Sequence, residues 1–173
     1  AGFEPVSAGT ITSPAGILSS PSVTLPPEKR RIGVVVQSNA LFPHMTAAEN
    51  VRFGMNRSDG SRSAQEWLAK VELADRANAY PHELSGGEQQ RIALARALAS
   101  QPDVVLLDEA FSSLDQQLRK STRRDAKLLL KEADAAVLVV THDPDEALEL
   151  ADTIVVLNDG RIVQEGAPED LYW

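Results

Sequence analysis

Three short runs of apolar residues without alternation stand out along the chain. They are Ile32–Val36, 104–107 and Ala136–Val140. Runs of four to eight mainly aliphatic or β-branched residues are typical of strands that are buried on both faces. The stretch 116–133, which lies between the second and third runs, places leucines among charged residues and predicts a crossover helix. The pattern therefore predicts a parallel α/β sheet covered on both faces.

Weaker patterns predict the elements around this sheet. Residues 1–27 hold five of the ten prolines, which predicts extended pieces broken by turns. Thr46 and Glu49 have capping-box spacing, and residues 63–79 are amphipathic, so the middle of the chain should be helical. The apolar stretch 154–157 and the stretch 161–164 flank Asp159-Gly160, which predicts a β-hairpin that closes the sheet with an antiparallel edge.

Composition narrows the function classes. The 173 residues contain 17 Lys and Arg against 25 Asp and Glu, for a net charge of -8, which disfavours a nucleic-acid binder. The hydrophobic fraction of 43% fits one folded domain. No apolar run reaches the roughly 18 residues of a membrane span. The absence of cysteine excludes disulfides and thiolate chemistry, so any chemistry must use oxygen and imidazole groups.

Polar residues end each of the three apolar runs. They are Gln37, the pair Asp108 and Glu109, and His142. Ligands of parallel sheets bind beyond the carboxyl ends of the strands, so these side chains are expected to converge on one site. An apolar strand followed by Asp-Glu is the Walker B arrangement, in which the first carboxylate holds Mg²⁺ and the second orients water. The alternatives are solvated carboxylates at a strand end, and a histidine bonded to backbone.

Residues 84–91 read Leu-Ser-Gly-Gly-Glu-Gln-Gln-Arg. Ser85 and Glu88 have capping-box spacing, so a helix is expected to begin here. Gly86 and Gly87 would bring bare backbone N–H groups to the positive end of the helix dipole, which forms an anion site. The alternative is an ordinary turn, but two glycines weaken a helix start with no evident structural gain.

This stretch resembles the signature motif of ATP-binding cassette (ABC) ATPases, and the other motifs follow in the same order. Gln37 resembles the Q-loop glutamine, residues 40–46 and 49–51 resemble importer-type subunits, Asp108 and Glu109 resemble Walker B, residues 112–115 resemble the D-loop and His142 resembles the switch histidine. The resemblance implies a P-loop NTPase-like fold with a mostly parallel sheet and a helical subdomain. It divides the chain into a sheet lobe at 1–41, a helical subdomain at 42–86, and a segment 87–173 that carries the remaining motifs and the hairpin.

The resemblance also implies roles for individual residues. Glu109, His142 and Gln37 would be catalytic, and Asp108 with Gln37 would hold Mg²⁺. The residues expected to bind ATP across a dimer are Ser85, Gly86, Gly87, Gln89 and Asp115. The expected partners are a second ATPase subunit and transmembrane permease subunits, with no nucleic acid, at the cytoplasmic face of the membrane. Such a subunit would couple ATP hydrolysis to solute uptake.

One motif of the family is missing from these residues. The five lysines never follow a glycine, so no G-x-x-x-x-G-K-S/T sequence is present. We therefore expect a piece that begins downstream of Walker A, is cut at both ends, and neither binds ATP usefully nor hydrolyses it. A nucleotide-free dimerisation module is the alternative. A chromosome-organising or DNA-repair ATPase is disfavoured, because the 47 positions from Gln37 to Leu84 leave no room for a long coiled coil.

Two further expectations concern side chains outside these motifs. The acids of residues 143–146 should cap a helix that has Pro144 at its first position. The aromatic residues Phe42, Phe53 and Trp67 should pack in the core, with docking to a membrane subunit as the alternative for Phe42 or Met45.

Overall fold

The computed structural model describes residues 1–37, 40–55 and 63–171. The strands in this part of the chain are β1 (Ile11–Ser13), β2 (Gly16–Ser19), β3 (Ile32–Val36), β4 (Val104–Asp108), β5 (Ala136–Val140), β6 (Ile154–Asn158) and β7 (Arg161–Gly166). The α-helices are α1 (Ala47–Gly54), α2 (Ala64–Lys70), α3 (Gly86–Ala99), α4 (Gln116–Glu132) and α5 (Pro144–Leu150). No helix of the described residues combines the length and the apolar character needed to cross a membrane.

A three-stranded parallel sheet, in the order β3-β4-β5, forms the centre. The strands are in register, with Val36 opposite Asp108 and Asp108 opposite Val140, so their carboxyl ends are level. Helix α4 makes the crossover from β4 to β5. The predicted parallel α/β sheet is confirmed, with β3 and β5 at their predicted bounds.

Coverage of the sheet is uneven. Val105 and Leu107 of β4 are buried, at 0% and 1% exposure, whereas Leu138 and Val140 of β5 are 56% and 53% exposed. The prediction of a sheet covered on both faces is therefore wrong for β5. Its position at the edge does not account for the difference, because β3 is also an outer strand of the described sheet and its Val35 is 1% exposed.

The C-terminal hairpin forms, but it does not extend the central sheet. Strands β6 and β7 pair with each other as a separate two-stranded sheet, so the predicted antiparallel edge is wrong. Asp159 and Gly160 have φ values of 48° and 71°, the left-handed geometry that closes a tight hairpin. This turn pairs the two strands locally, independently of β5.

The predicted amphipathic stretch 63–79 is a shorter helix followed by a 3₁₀ turn. Helix α2 ends at Lys70 because Glu72 adopts a left-handed φ of 58°. Two backbone bonds close the end, from Glu72 N to Ala69 O at 3.0 Å and from Leu73 N to Leu68 O at 2.8 Å. They form a Schellman motif with glutamate at the position that usually holds glycine.

One hydrophobic cluster joins the helices to the sheet. It includes Val35, Val51, Leu68, Ile92 and Leu107. Trp67 is 8% exposed, which confirms core packing for this residue. Phe53 is 62% exposed, so core packing is wrong for it, and its ring instead lies 4.5 Å from that of Phe42.

The N-terminal region consists of the β1-β2 hairpin and turns, as predicted from its prolines. Arg30 is buried beneath it and donates to Leu25 O at 2.6 Å and to Ser19 Oγ at 2.8 Å. The division of the chain at 41/42 and 86/87 stays a prediction. Residues 38–39, 56–62 and 172–173 of those predicted segments lie outside the described residues.

Candidate functional site

The carboxyl edge of the central sheet carries a cleft of about 360 Å³, lined by Val36, Gln37, Asp108 and Glu109. Gln37 follows β3 directly, and Asp108 is the last residue of β4. Both side chains are exposed. The cleft therefore brings together three of the four polar residues that end the apolar runs.

His142, the fourth of these residues, joins the cleft through Glu109. Its Nδ1 lies 3.0 Å from Glu109 Oε1, and the two side chains are 72% and 36% exposed. A carboxylate can only accept, so Nδ1 is the donor and Nε2 is left to face a ligand or solvent. His142 is therefore bonded to a carboxylate rather than to backbone.

The backbone of Glu109 is held in a strained conformation. Its φ is 47°, a left-handed value that is costly for a residue with a Cβ, by about 1–3 kcal/mol. Its N–H donates to Val140 O at 2.9 Å. Its carbonyl accepts from Ser112 N at 3.1 Å and from Ser112 Oγ at 2.8 Å. These bonds fix the backbone of Glu109 between β5 and the loop that follows β4.

Helix α3 begins with the predicted capping box. Ser85 Oγ accepts from Glu88 N at 3.3 Å and donates to Glu88 Oε2 at 2.8 Å, while Ser85 N donates to the same oxygen at 2.8 Å. The bond from the Ser85 backbone is the main cause that lowers the pKa of Glu88, with a smaller contribution from Arg76. The box thus satisfies the N–H groups of Ser85 and Glu88 and does not use those of Gly86 and Gly87.

The glycines of this helix start have a packing role that the sequence did not reveal. A Cβ on Gly87 would lie 2.9 Å from Leu118 Cδ1, and a Cβ on Gly86 would lie 3.1 Å from Leu114 Cδ2. Gly87 is buried against α4, whereas Gly86 is exposed. The interpretation that glycine brings no structural gain here is therefore wrong for Gly87.

Two other predicted ligands of ATP already have partners within the chain. Gln89 Nε2 donates to Pro81 O at 2.9 Å and to Leu84 O at 3.1 Å. Asp115 is the N-cap of α4 and accepts from Leu118 N at 3.0 Å. Neither these residues nor Ser85 to Gly87 line the cleft, so the predicted site residues form two separate groups.

A buried asparagine, whose role sequence reasoning missed, shapes the loop before α1. Asn50 is 0% exposed and accepts from Phe42 N at 2.8 Å. Its amide nitrogen also lies 3.0–3.2 Å from the carbonyl oxygens of Phe42, Met45 and Thr46. A polar residue within the apolar pattern of α1 was the available signal. Beside this loop, Arg96 donates to Ala40 O at 2.8 Å.

The donor set of the cleft suits Mg²⁺ held mainly by phosphate. The oxygens of Asp108 and Gln37 are hard ligands of the kind that Mg²⁺ prefers. Among residues 1–37, 40–55 and 63–171, no group of three or more His, Cys, Asp or Glu could hold a metal ion. One carboxylate with phosphates and water is the usual arrangement for Mg²⁺ at nucleotide sites, so the residues present fit the ion.

Comparison with known proteins decides the family. The family model for ABC transporters matches residues 1–112, which include Gln37, the start of α3, Asp108 and Glu109. The chain belongs to the ABC transporter family. Its predicted fold is also confirmed, because a dimeric post-hydrolysis structure of the ATP-binding cassette MJ0796 bound to ADP and Pi matches with a TM-score of 0.74 and 31% identity. That match covers 98% of this chain and 77% of the other.

Curated relatives within the ABC transporter family are import proteins. The Fe(3+) ions import ATP-binding protein FbpC of Pseudomonas fluorescens is 47% identical over 175 residues, covering 99% of this chain and 50% of the relative. The spermidine/putrescine import ATP-binding protein PotA of Aliivibrio fischeri is 47% identical over 178 residues, covering 99% and 46%. The chain therefore spans about half the length of these relatives.

Proposed function

We propose that this ABC family chain is the nucleotide-binding part of an importer subunit, which binds ATP and Mg²⁺ and couples hydrolysis to solute uptake. The observation that carries the proposal is the contact of His142 with Glu109 beside Asp108 and Gln37 at one edge of the sheet. The import function named for both curated relatives supports it.

Each group of residues has a distinct task in this proposal. Asp108 and Gln37 would hold Mg²⁺, which would supply positive charge to neutralise the phosphates. Glu109 orients and polarises the attacking water. His142 keeps its Nδ1 on Glu109 and presents Nε2 to the γ-phosphate. Gln37 lines the cleft, so its side chain would contact the metal and the attacking water only when the site is occupied.

The start of α3 serves the nucleotide of a second copy in this proposal. The backbone N–H groups of Gly86 and Gly87 bind the γ-phosphate at the positive end of the helix, and the Ser85 hydroxyl joins them by turning its proton from Glu88 to the phosphate. Gln89 supports this group by holding the preceding loop, and Asp115 links the two sites across the dimer. The dimer docks on permease subunits at the cytoplasmic face of the membrane.

A second candidate function is a nucleotide-free dimerisation module. It applies if the native gene product, like these 173 residues, has no G-x-x-x-x-G-K-S/T sequence. Hydrogen bonds to charged groups contribute about 1.5–3 kcal/mol each, so a site without four of them loses at least about 6 kcal/mol. That is roughly four decades of affinity, enough to turn a micromolar site into one weaker than millimolar. A polypeptide of these residues alone should therefore bind Mg-ATP more weakly than millimolar.

Hydrolysis by the native gene product that contains these residues separates the two functions. The wild-type protein should hydrolyse Mg-ATP, and Glu109→Gln should lower the rate about 10²- to 10⁴-fold while ATP still binds. Glu165→Gln, which removes an exposed carboxylate of β7, is the matched control and should keep the wild-type rate. A wild-type protein that dimerises without binding ATP would instead establish the second function.

A further inference from the structure

A guanidinium outside the cleft connects two segments of the candidate site. Arg119 Nη2 donates to Ser112 O at 3.1 Å and to Leu114 O at 2.8 Å. Its Nη1 lies 3.6 Å from Asp143 Oδ2. One side chain on the first turns of α4 therefore contacts both the loop after β4 and the residue after His142.

Asp143 is held from several sides. Arg123 Nη2 lies 3.2 Å from the same oxygen, Oδ2, and Arg123 is 7% exposed. Asp143 Oδ1 accepts from Asp145 N at 3.0 Å, which caps α5 as predicted from the sequence. The backbone N–H of Asp143 donates to Thr141 Oγ1 at 3.0 Å. The two arginines thus hold Asp143, the residue that follows His142, and the backbone of Asp143 bonds the Thr141 side chain on the other side.

These contacts close a ring with the bonds described above. In order, the ring runs through Glu109, Ser112, Arg119, Asp143 and His142 and returns to Glu109. The His142 side chain is 72% exposed, so packing does little to orient the imidazole. Its contact with Glu109 therefore depends on how the two backbone segments are placed relative to each other.

We propose that Arg119 is a positioning residue that sets the contact between His142 and Glu109 by tying Ser112 and Leu114 to Asp143. Its planar guanidinium offers several donors in a fixed geometry, which suits two carbonyls and one carboxylate at once. The consequence for ATP hydrolysis rests on the proposed function, whereas the contact itself does not.

The tautomer of His142 is the direct test. In the native gene product, labelled with ¹⁵N-histidine and studied under alkaline conditions that keep imidazole neutral, the His142 signal should report the Nδ1–H form. His142→Gln assigns that signal. Arg119→Gln should shift it toward the Nε2–H form, which predominates for imidazole without such an acceptor. Arg119→Lys should give an intermediate shift, because one ammonium group cannot bond two carbonyls and a carboxylate in the geometry of the planar guanidinium.

Arg124→Gln is the matched control, since it removes an exposed arginine from the same helix. It should leave the His142 signal unchanged. The kcat for ATP should fall about 10- to 100-fold in Arg119→Gln with little change in KM, since a misplaced group slows the chemical step.

An Arg119→Gln protein that is folded and keeps the wild-type His142 signal would overturn the proposal. If Arg119→Gln does not fold, a folded Arg119→Lys with an unchanged signal and unchanged kcat would overturn it equally. A shifted signal in a protein whose wild type does not hydrolyse ATP would support the positioning role and contradict the proposed function.

Discussion

Gly87 offers a sharp test of how closely α3 approaches α4. In Gly87→Ala, the new Cβ would lie 2.9 Å from Leu118 Cδ1, 3.1 Å from Cγ and 3.2 Å from Cδ2. Overpacking of this kind costs about 1–3 kcal/mol. Alanine in place of glycine returns about 1 kcal/mol of helix propensity. The free energy of unfolding should therefore fall by about 1 kcal/mol.

A second substitution isolates the clash. In a Leu118→Ala background the opposing atoms are gone, so Gly87→Ala should raise the free energy of unfolding by about 0.5–1 kcal/mol. The effect of Gly87→Ala should thus differ between the two backgrounds by about 1.5–2 kcal/mol. Gly166→Ala is the control, because its Cβ would meet Asp170 Cβ at an ordinary 3.5 Å.

Urea unfolding followed by circular dichroism measures all of these variants. Equal effects of Gly87→Ala in both backgrounds, within about 0.5 kcal/mol, would refute the close approach of the two helices. The same variants in the native gene product separate packing from nucleotide binding. Gly87→Ala/Leu118→Ala should be at least as stable as Leu118→Ala alone. If its rate of ATP hydrolysis is nevertheless lower than that of Leu118→Ala, Gly87 serves both helix packing and nucleotide binding.

Two further substitutions test buried polar groups away from the cleft. Burial is the main cause that raises the pKa of Glu146, so ionisation costs stability as the pH rises through that raised pKa. Glu146→Gln should therefore be more stable than wild type at pH 7, and a gain in urea midpoint that persists at acidic pH would contradict this. Asn50→Ala removes the side-chain bonds to Phe42 N and Met45 O and should lower the free energy of unfolding by about 2–3 kcal/mol, whereas a loss below about 0.5 kcal/mol in urea titrations would argue against the bonds.

The sequence predicted the features that local patterns encode. The apolar runs predicted the bounds of β3 and β5 correctly. The polar residues that end the runs lie close together because the carboxyl ends of the paired strands are in register. Capping boxes at Thr46 and Ser85 marked two helix starts correctly. Each of these signals lies within a few residues of the element that it determines.

Sequence patterns did not predict features that depend on distant residues or on a residue type that is unusual for its backbone conformation. The end of α2 has Glu72 where glycine is usual, so no breaker marked it. The packing of Gly87 against Leu118 and the ion pair of Arg119 with Asp143 join residues far apart in sequence. Pattern alone also could not show that β6 and β7 pair apart from the central sheet, since a tight turn is compatible with both arrangements.

The dependence of ATP affinity on Mg²⁺ tests the central claim most directly. Calorimetry on the native gene product measures ATP affinity with and without Mg²⁺. In Asp108→Asn, most of the increase in ATP affinity that Mg²⁺ gives the wild type should be lost. Asp103→Asn should keep it, because Asp103 lies just before β4, at the opposite end from the cleft, and pairs with Arg31. Wild-type Mg²⁺ dependence in Asp108→Asn would contradict a metal and nucleotide site at the carboxyl edge of the sheet.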